Sequence, residues 1–507
     1  MVPDMDLPIA SAESTQEAGS CDDSERVALA SGGAILLEAD GFRLIASGRS
    51  KRSVLHAYDS ISHLYVTDRA LLIGTIPGLL SVRAAHFTDP KQGPEHARDA
   101  LRARMASTPG GIERIQALDE VDRLGRREGP TWMIWATVVL CLIGTGFQLK
   151  DPSVREIGAF LPDLFGRGEY WRAVTAHFLH ALTPAPLLLR SFAPSIMVLP
   201  IHLAVNIAGM LVLGHLVERP MGSWRTSIVV AFSAIGTIGG IIFAGHVNVV
   251  GASGLVAGLA GAMLALELHY SRWLPSFWRL PRRLFVAVIL LQFLLIDQLF
   301  SGLLAGGAHL GGFVGGYGST WLLGRPSLES IEPTAVQKLG SYSAAALVVI
   351  GFIGAIPLAR HDMGALERHA FRLMNTQSSI YLYEYDNAAA WLIATGGDAS
   401  NEGLHLAVAL ADRAVTNTQR LHPGVLDTLA EALFQSGDRF GAVLTIEEAI
   451  RLQPQEPYFF EQWRRFTGDR APDDRPPPPG SGGEWGSPVE EEPEAPAFAP
   501  DTSRITI

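Results

Sequence analysis

Four polar side chains stand inside long apolar runs of this 507-residue chain: Ser253, His309, His202 and Asn206. A serine hydroxyl is a poor nucleophile until a neighbouring base takes its proton. An unperturbed histidine is mostly neutral at pH 7 and can accept it. Ser253 as nucleophile and His309 as general base are the smallest sufficient set. The apolar run that holds His309 carries no carboxylate near it, so a dyad is expected rather than a triad. A tetrahedral intermediate needs donors aimed at its oxyanion. His202, Asn206 and the Ser253 backbone N–H can supply them, and His202 and Asn206, four residues apart, share one helix face. Taken singly these residues are ordinary, since serine packs and histidine hydrogen-bonds in many membrane helices. Together, at one depth, they form a functional hypothesis, because polar groups are costly inside a membrane.

Whether they share a depth depends on topology. Apolar residues make up 48% of the chain and charged residues 18%, and the apolar ones concentrate between about 131 and 359. Seven runs there come near the roughly 20 residues a bilayer core requires: 131–149, 197–217, 225–245, 252–270, 282–300, 303–323 and 341–359. Basic residues gather between alternate runs, at Arg123, Arg126 and Arg127, at Arg219 and Arg225, at Arg272, Arg279, Arg282 and Arg283, and at Arg325 and Lys338. The positive-inside bias then predicts a cytoplasmic N-terminus and an extracytoplasmic segment after the seventh span. Lys150, Arg155, Arg167, Arg172 and Arg190 in the first loop run against this, but a loop so long weighs little in orientation. Under this topology the second, fourth and sixth spans enter from outside. His202 and Asn206 lie near the outer end of the second, Ser253 in the first turn of the fourth, and His309 about two turns down the sixth. Gly251 and Gly254 bracket the serine. Gly258 and Gly261 flatten the fourth helix, and Gly312 and Gly316 the sixth, so that two backbones can approach closely.

Residues 131–359 resemble the rhomboid family of intramembrane serine proteases through five pieces. These are Trp171-Arg172, HLAVN from His202 to Asn206, ERPMG from Glu218 to Gly222, GASG from Gly251 to Gly254, and AHLGGFVGG from Ala308 to Gly316. The resemblance implies a six-span core with one extra C-terminal span. It implies Ser253 and His309 as catalytic dyad, His202 and Asn206 as oxyanion hole, and Trp171 and Arg172 as supports of the first loop against the membrane surface. Substrates would be membrane-anchored proteins, cut in or near their spanning segment after local unwinding, with no metal and no other cofactor. Two positions depart from the family pattern. A histidine like His180 normally lies a few residues before the HxxxN histidine, whereas here residues 181–200 (ALTPAPLLLRSFAPSIMVLP) intervene. They read as an extended loop, a cap, or a change in the entry of water or substrate. Four residues after the serine, where the family often packs an aromatic on the catalytic histidine, stands Ala257, so His309 is expected to be held less firmly.

The flanks read as soluble. A net charge of −11 argues against nucleic-acid binding. Cys21 lies in a polar leader and Cys141 in an apolar run, so no disulfide is expected between them. Residues 1–25 predict a disordered leader without signal-peptide pattern, leaving the first span to direct insertion. Residues 26–112 predict a soluble α+β domain, with short strands such as AILLEA and ALLIGT and a helix from Pro94 to Ala106. Ile61, His63, Tyr65 and Thr67 alternate with Ser62, Leu64 and Val66. The element order is similar to a pleckstrin-homology-like barrel. Residues 363–466 predict helices. Ala430, Gly437, Ala442, Ala449 and Pro454 resemble one tetratricopeptide repeat, with a fainter copy at Ala407 and Ala414; a pair of packing helices is the plainer reading. Residues 470–507 are Pro- and Glu-rich and predict a disordered tail.

The expected fold is mainly α: a seven-span, rhomboid-like bundle, with a small N-terminal β-rich domain and a C-terminal helical repeat-like domain. The expected function is intramembrane serine endopeptidase in the lipid bilayer of a bacterial inner membrane, with a protein partner reached through residues 400–456. One rival is a non-proteolytic rhomboid-like protein that binds transmembrane helices and recruits partners through the repeat segment. Another is a transporter, which needs carboxylates at mid-membrane depth; Glu267 and Asp297 instead lie near span ends, and Glu218 belongs to the ERPMG piece.

Overall fold

A computed structural model describes residues 25–30, 32–45, 53–75, 78–125, 130–151, 153–184, 198–275, 278–299, 304–324, 333–376 and 382–477. The leader through residue 24, residues 185–197 of the insert and the tail after 477 fall outside the described residues. The chain divides into two compact units, one from residues 1–137, 207–237 and 254–342, the other from 138–206, 238–253 and 343–507.

The first unit opens with seven short strands. β1 (Glu25–Ala28), β2 (Ala34–Leu37), β3 (Gly41–Ile45) and β4 (Leu55–Ala57) form one antiparallel sheet in sequence order. β5 (Ile61–Val66), β6 (Ala70–Thr75) and β7 (Gly78–Arg83) form a second. Strands followed by a helix is the order read from the sequence. That helix, α1 (Gly93–Ala106), sets Ala97, Leu101 and Met105 on one face, and they join Ile35, Leu37, Phe42, Leu71 and Ile73 in one core. A further helix, α2 (Gly111–Gly125), adds Leu118 and is tied to α1 by Arg102, which donates to both Asp119 oxygens at 2.6 and 2.8 Å. The alternation expected along β5 does not hold, since His63 and Leu64 are both buried. The register shifts between Ile61 and His63, and an extra residue on one strand resets which face later side chains meet.

Helices occupy all seven apolar runs. α3 (Trp132–Lys150) leads into the first loop, which folds as α4 (Ser153–Gly158), α5 (Pro162–Gly166) and α6 (Arg172–Thr175). A two-residue ladder, β8 (Thr183–Pro184) with β9 (Val198–Leu199), closes the ends of the insert. There follow α7 (Ile201–Met221), α8 (Ser223–Ala244), α9 (Ser253–His269) and α10 (Arg282–Leu291). α10 continues as a π-helical turn, Gln292–Ile296, and a last turn, α11 (Asp297–Leu299). α12 (Gly306–Leu323) and α13 (Ala335–Ala359) complete the set. Among the described residues four of these, α3, α7, α8 and α13, are long and apolar enough to cross a membrane, and α9 is shorter, at 17 residues. α13 leaves Leu347, Ile350 and Ile353 more than half exposed, a surface suited to lipid rather than water.

In the first unit α8, α9 and α12 pack through glycines. A methyl group on Gly312 would collide with the Gly254 carbonyl, and one on Gly316 with the Gly258 carbonyl. Main chains can come this near only where neither helix carries a side chain at the crossing.

In the second unit the first loop and the C-terminal helices share one core. Ile157, Leu161 and Leu164 of the loop join Leu366, Ala370 and Leu373 of α14 (Met363–Met374). α15 (Tyr383–Thr395), α16 (Asn401–Asn417), α17 (Pro423–Gln435), α18 (Arg439–Leu452) and α19 (Pro457–Thr467) extend it. Asp362, Ser400 and Asp438 accept from backbone N–H groups at the starts of α14, α16 and α18, satisfying donors that the helix leaves free. Ala407, Ala414, Ala430, Ala442 and Ala449 are fully buried in these helix contacts, whereas Gly437, singled out with them in the sequence, is exposed at φ +95° between α17 and α18.

Candidate active site

Ser253 is the first residue of α9, and the chain before it is held by backbone bonds within the second unit. Gly251 adopts φ +129°, a region that favours glycine, and its N–H donates to the Ala176 carbonyl at 2.8 Å. Phe160 and Val249 pair as an isolated antiparallel bridge. Asn248, at φ +56°, accepts from the Tyr385 hydroxyl at 2.6 Å. A C-terminal helix therefore grips the loop five residues before the serine.

His202 lies against Gly251: a Cβ there would meet the ring carbon Cε1 at 2.6 Å. His202 Nδ1 accepts from the Ala181 backbone N–H at 3.3 Å. A backbone N–H can only donate, so the neutral ring carries its proton on Nε2 and offers it as a donor. Asn206 is buried and uses one amide N–H on the His202 carbonyl, at 2.9 Å. His180 packs edge-on against His202, with ring centroids 5.3 Å apart. Gln148 clamps its backbone, donating to the His180 carbonyl at 2.6 Å and accepting from its N–H at 3.1 Å. Burial, helped by His202, pushes the His180 imidazole down to about 3, so it stays neutral. Residues 181–200 thus separate the two histidines in sequence without separating the rings.

In the first unit His309 is buried in the first turns of α12. Its Nδ1 lies 2.9 Å from Oδ1 of Asp297. The sixth run itself holds no carboxylate near His309, as the sequence reads; this one comes from the end of the fifth, and the expectation of a dyad took no account of it. Reading acids only within the sixth run missed a residue twelve positions earlier, at the end of the fifth. Asp297 at the start of α11 and His309 in α12 meet side chain to side chain. The available signal was an acid near the end of one apolar run and a histidine near the start of the next. The same oxygen accepts from Gln292 Nε2 at 2.9 Å. Gly254, Gly312 and Gly316 lie in this unit at the helix crossing described above. Ser253 falls in one unit and His309 in the other.

The remaining motif residues build supports. Glu218 near the end of α7 accepts from the Met133 and Ile134 N–H groups, both at 3.0 Å, and so caps α3 from another helix. Gly222, at φ +77°, then turns the chain into α8. Arg172 is fully buried; it bonds Glu169 at 2.6 Å and the carbonyls of Glu156 and Ala159 at 2.7 and 2.8 Å. Trp171 donates to the Ile157 carbonyl at 3.1 Å. Both residues therefore hold the first loop to itself. Glu169 also meets His369 of α14 at 2.7 Å. Burial opposes its charge, but His369 and Arg172 outweigh burial and hold the carboxyl at about 2. Among the described residues no group of three or more His, Cys, Asp or Glu side chains could hold a metal ion.

Comparison with known proteins bears on this arrangement. Residues 195–326 match the rhomboid domain. That segment contains His202, Asn206, Glu218, Ser253, Asp297 and His309, and it stops short of Trp171, Arg172 and the C-terminal helices. Over 228 residues the chain is 26% identical to RHOMBOID-like protein 5 of Arabidopsis thaliana, covering 40% of this chain and 65% of that protein. Over 320 residues it is 24% identical to rhomboid protease GluP of Bacillus subtilis (strain 168), covering 61% of this chain and 51% of that protein. The chain thus spans less than two thirds of the length of either relative. No solved structure matches. Residues 195–326 thus carry a rhomboid-domain match, and among the described residues four helices are long and apolar enough to cross a membrane.

Proposed function

We propose that this protein is an intramembrane serine endopeptidase that cleaves membrane-anchored proteins in or near their spanning segment. Ser253 Oγ attacks the scissile carbonyl while His309 Nε2 takes its proton. The C–N bond then breaks, and the same proton passes to the leaving amine. Water, deprotonated in turn by His309, releases the acyl group and restores the serine. His202 Nε2–H, Asn206 and the Ser253 N–H stabilise the oxyanion. The observation that carries this reading is that Nδ1 of His202 faces a backbone N–H and Nδ1 of His309 a carboxylate oxygen, both histidines lying in one rhomboid-matching segment.

The seven-span topology belongs to the same proposal, with a cytoplasmic N-terminus and the C-terminal helices outside. So do the pleckstrin-homology-like and tetratricopeptide-like assignments of the flanks and a partner site in residues 400–456. The test is cleavage of a single-span substrate by the full chain in lipid vesicles, compared with Ser253→Ala. Wild-type cleavage that the variant loses supports the reading. An uncut substrate panel with a folded wild type would favour the non-proteolytic binder.

A further inference from the structure

We infer that Asp297 is a positioning residue for His309, holding the imidazole in the tautomer that carries its proton on Nδ1 and its lone pair on Nε2. The inference rests on the reading of His309 as general base. Asp297 is 2% exposed and His309 7% exposed, so water does not compete for their bond. An ionised carboxylate oxygen has no hydrogen to give, and Gln292 also donates to this oxygen. The proton between Asp297 Oδ1 and His309 Nδ1 therefore sits on nitrogen. In a neutral ring that leaves the lone pair on Nε2, where a general base needs it. The tautomer is the reverse of the one at His202.

The surroundings fix the carboxylate as well as the ring. Asp297 Oδ2 is buried with no hydrogen-bond partner, so the two bonds at Oδ1 carry the compensation for its desolvation. The π-helical turn at Gln292–Ile296 ends immediately before Asp297. An added residue in one turn rotates whatever follows it relative to α10, and such turns recur at functional sites. Gly306 at the start of α12 leaves the space: a Cβ there would stand 3.3 Å from the Asp297 Cβ. When His309 takes a proton at Nε2 the ring becomes a cation, and the Asp297 charge stabilises it. Ala257 leaves His309 without the aromatic that the family pattern places there, and the Asp297–Gln292 pair gives the ring a polar anchor.

The test uses the full chain in lipid with a transmembrane substrate, comparing Asp297→Ala, Asp297→Asn and Gln292→Ala with wild type. Asp297→Ala is expected to lower kcat about 100-fold with KM within about twofold. Asp297→Asn keeps an acceptor oxygen and the side-chain volume but loses the charge, and falls less. Gln292→Ala falls least. Nitrogen NMR of labelled His309 should show the proton on Nδ1 in wild type and a mixture of tautomers in Asp297→Ala, which a merely structural carboxylate would not produce. If Asp297→Ala fails to fold, Asp297→Asn decides: wild-type kcat and an unchanged tautomer overturn the inference. Loss of activity in Ser253→Ala and His309→Ala would then leave the proposed function standing. Undiminished cleavage by Ser253→Ala would remove that function first.

Discussion

In the region of α10, α11 and α12, the Nδ1 of His309 faces a carboxylate oxygen. In the region from Ala176 to Asn206, the Nδ1 of His202 faces a backbone N–H. The two side chains are chemically identical and both sit at the starts of apolar helices. Their partners assign them opposite work. A carboxylate draws the proton to Nδ1 and leaves Nε2 as acceptor, while a backbone N–H claims the Nδ1 lone pair and makes Nε2 a donor. One suits a base and the other an oxyanion hole. A third histidine shows that a carboxylate alone is insufficient. His369 also bonds one, Glu169, but Arg172 and Arg372 share it within a structural network joining the first loop to α14.

The largest expected effect separates the first two histidines. His309→Ala removes the proposed base, and kcat should fall about 1,000-fold or more. His202→Ala removes one proposed oxyanion donor, and kcat should fall about 100-fold with His309 in place. Steady-state cleavage rates on a common substrate measure both. Equal losses, or a larger loss at His202, would break the comparison.

A smaller effect is expected from the glycines beside each histidine. Gly312→Ala drives a methyl group into the Gly254 carbonyl and should destabilise the helix crossing by about 1–3 kcal/mol, as overpacking does. Gly251→Ala strains a backbone at φ +129° and pushes on the His202 ring, so it should cost activity before stability. Thermal melting beside cleavage assays separates the two outcomes.

The smallest catalytic effect is expected at the third histidine. His369→Ala should lower melting temperature and leave kcat within about twofold of wild type. Glu169 has a folded pKa of about 2 against an ordinary 4.5, so it favours the folded state fully above pH 4.5. That contribution is lost as pH falls from 4.5 towards 2. Melting temperature should drop over this window in wild type and drop less in Glu169→Gln.

The helix crossing was legible in the sequence because Gly254, Gly258, Gly312 and Gly316 recur at the helical period, and the period survives into the fold. His202 and Asn206 were legible for the same reason. Asp297 was not, because its bond to His309 crosses a link between two helices, and no periodicity within one helix reports it. Glu218 was visible as part of a motif, but its capping of α3 is a contact 84 residues away. Residues 181–200 part His180 from His202 in the sequence, and the two rings still meet. Sequence distance grew while the ladder of β8 and β9 drew the ends of the insert together. Ser62 at the β5 register shift broke an alternation that its residue types gave no sign of breaking.

The central claim, that Ser253 is a nucleophile served by His309, is tested most directly by a fluorophosphonate probe on the full chain in lipid. Peptide mapping locates the modified residue. The account predicts one adduct, on Ser253, lost in Ser253→Ala and strongly slowed in folded His309→Ala. An adduct on another serine, or undiminished labelling of Ser253 in His309→Ala, would contradict it.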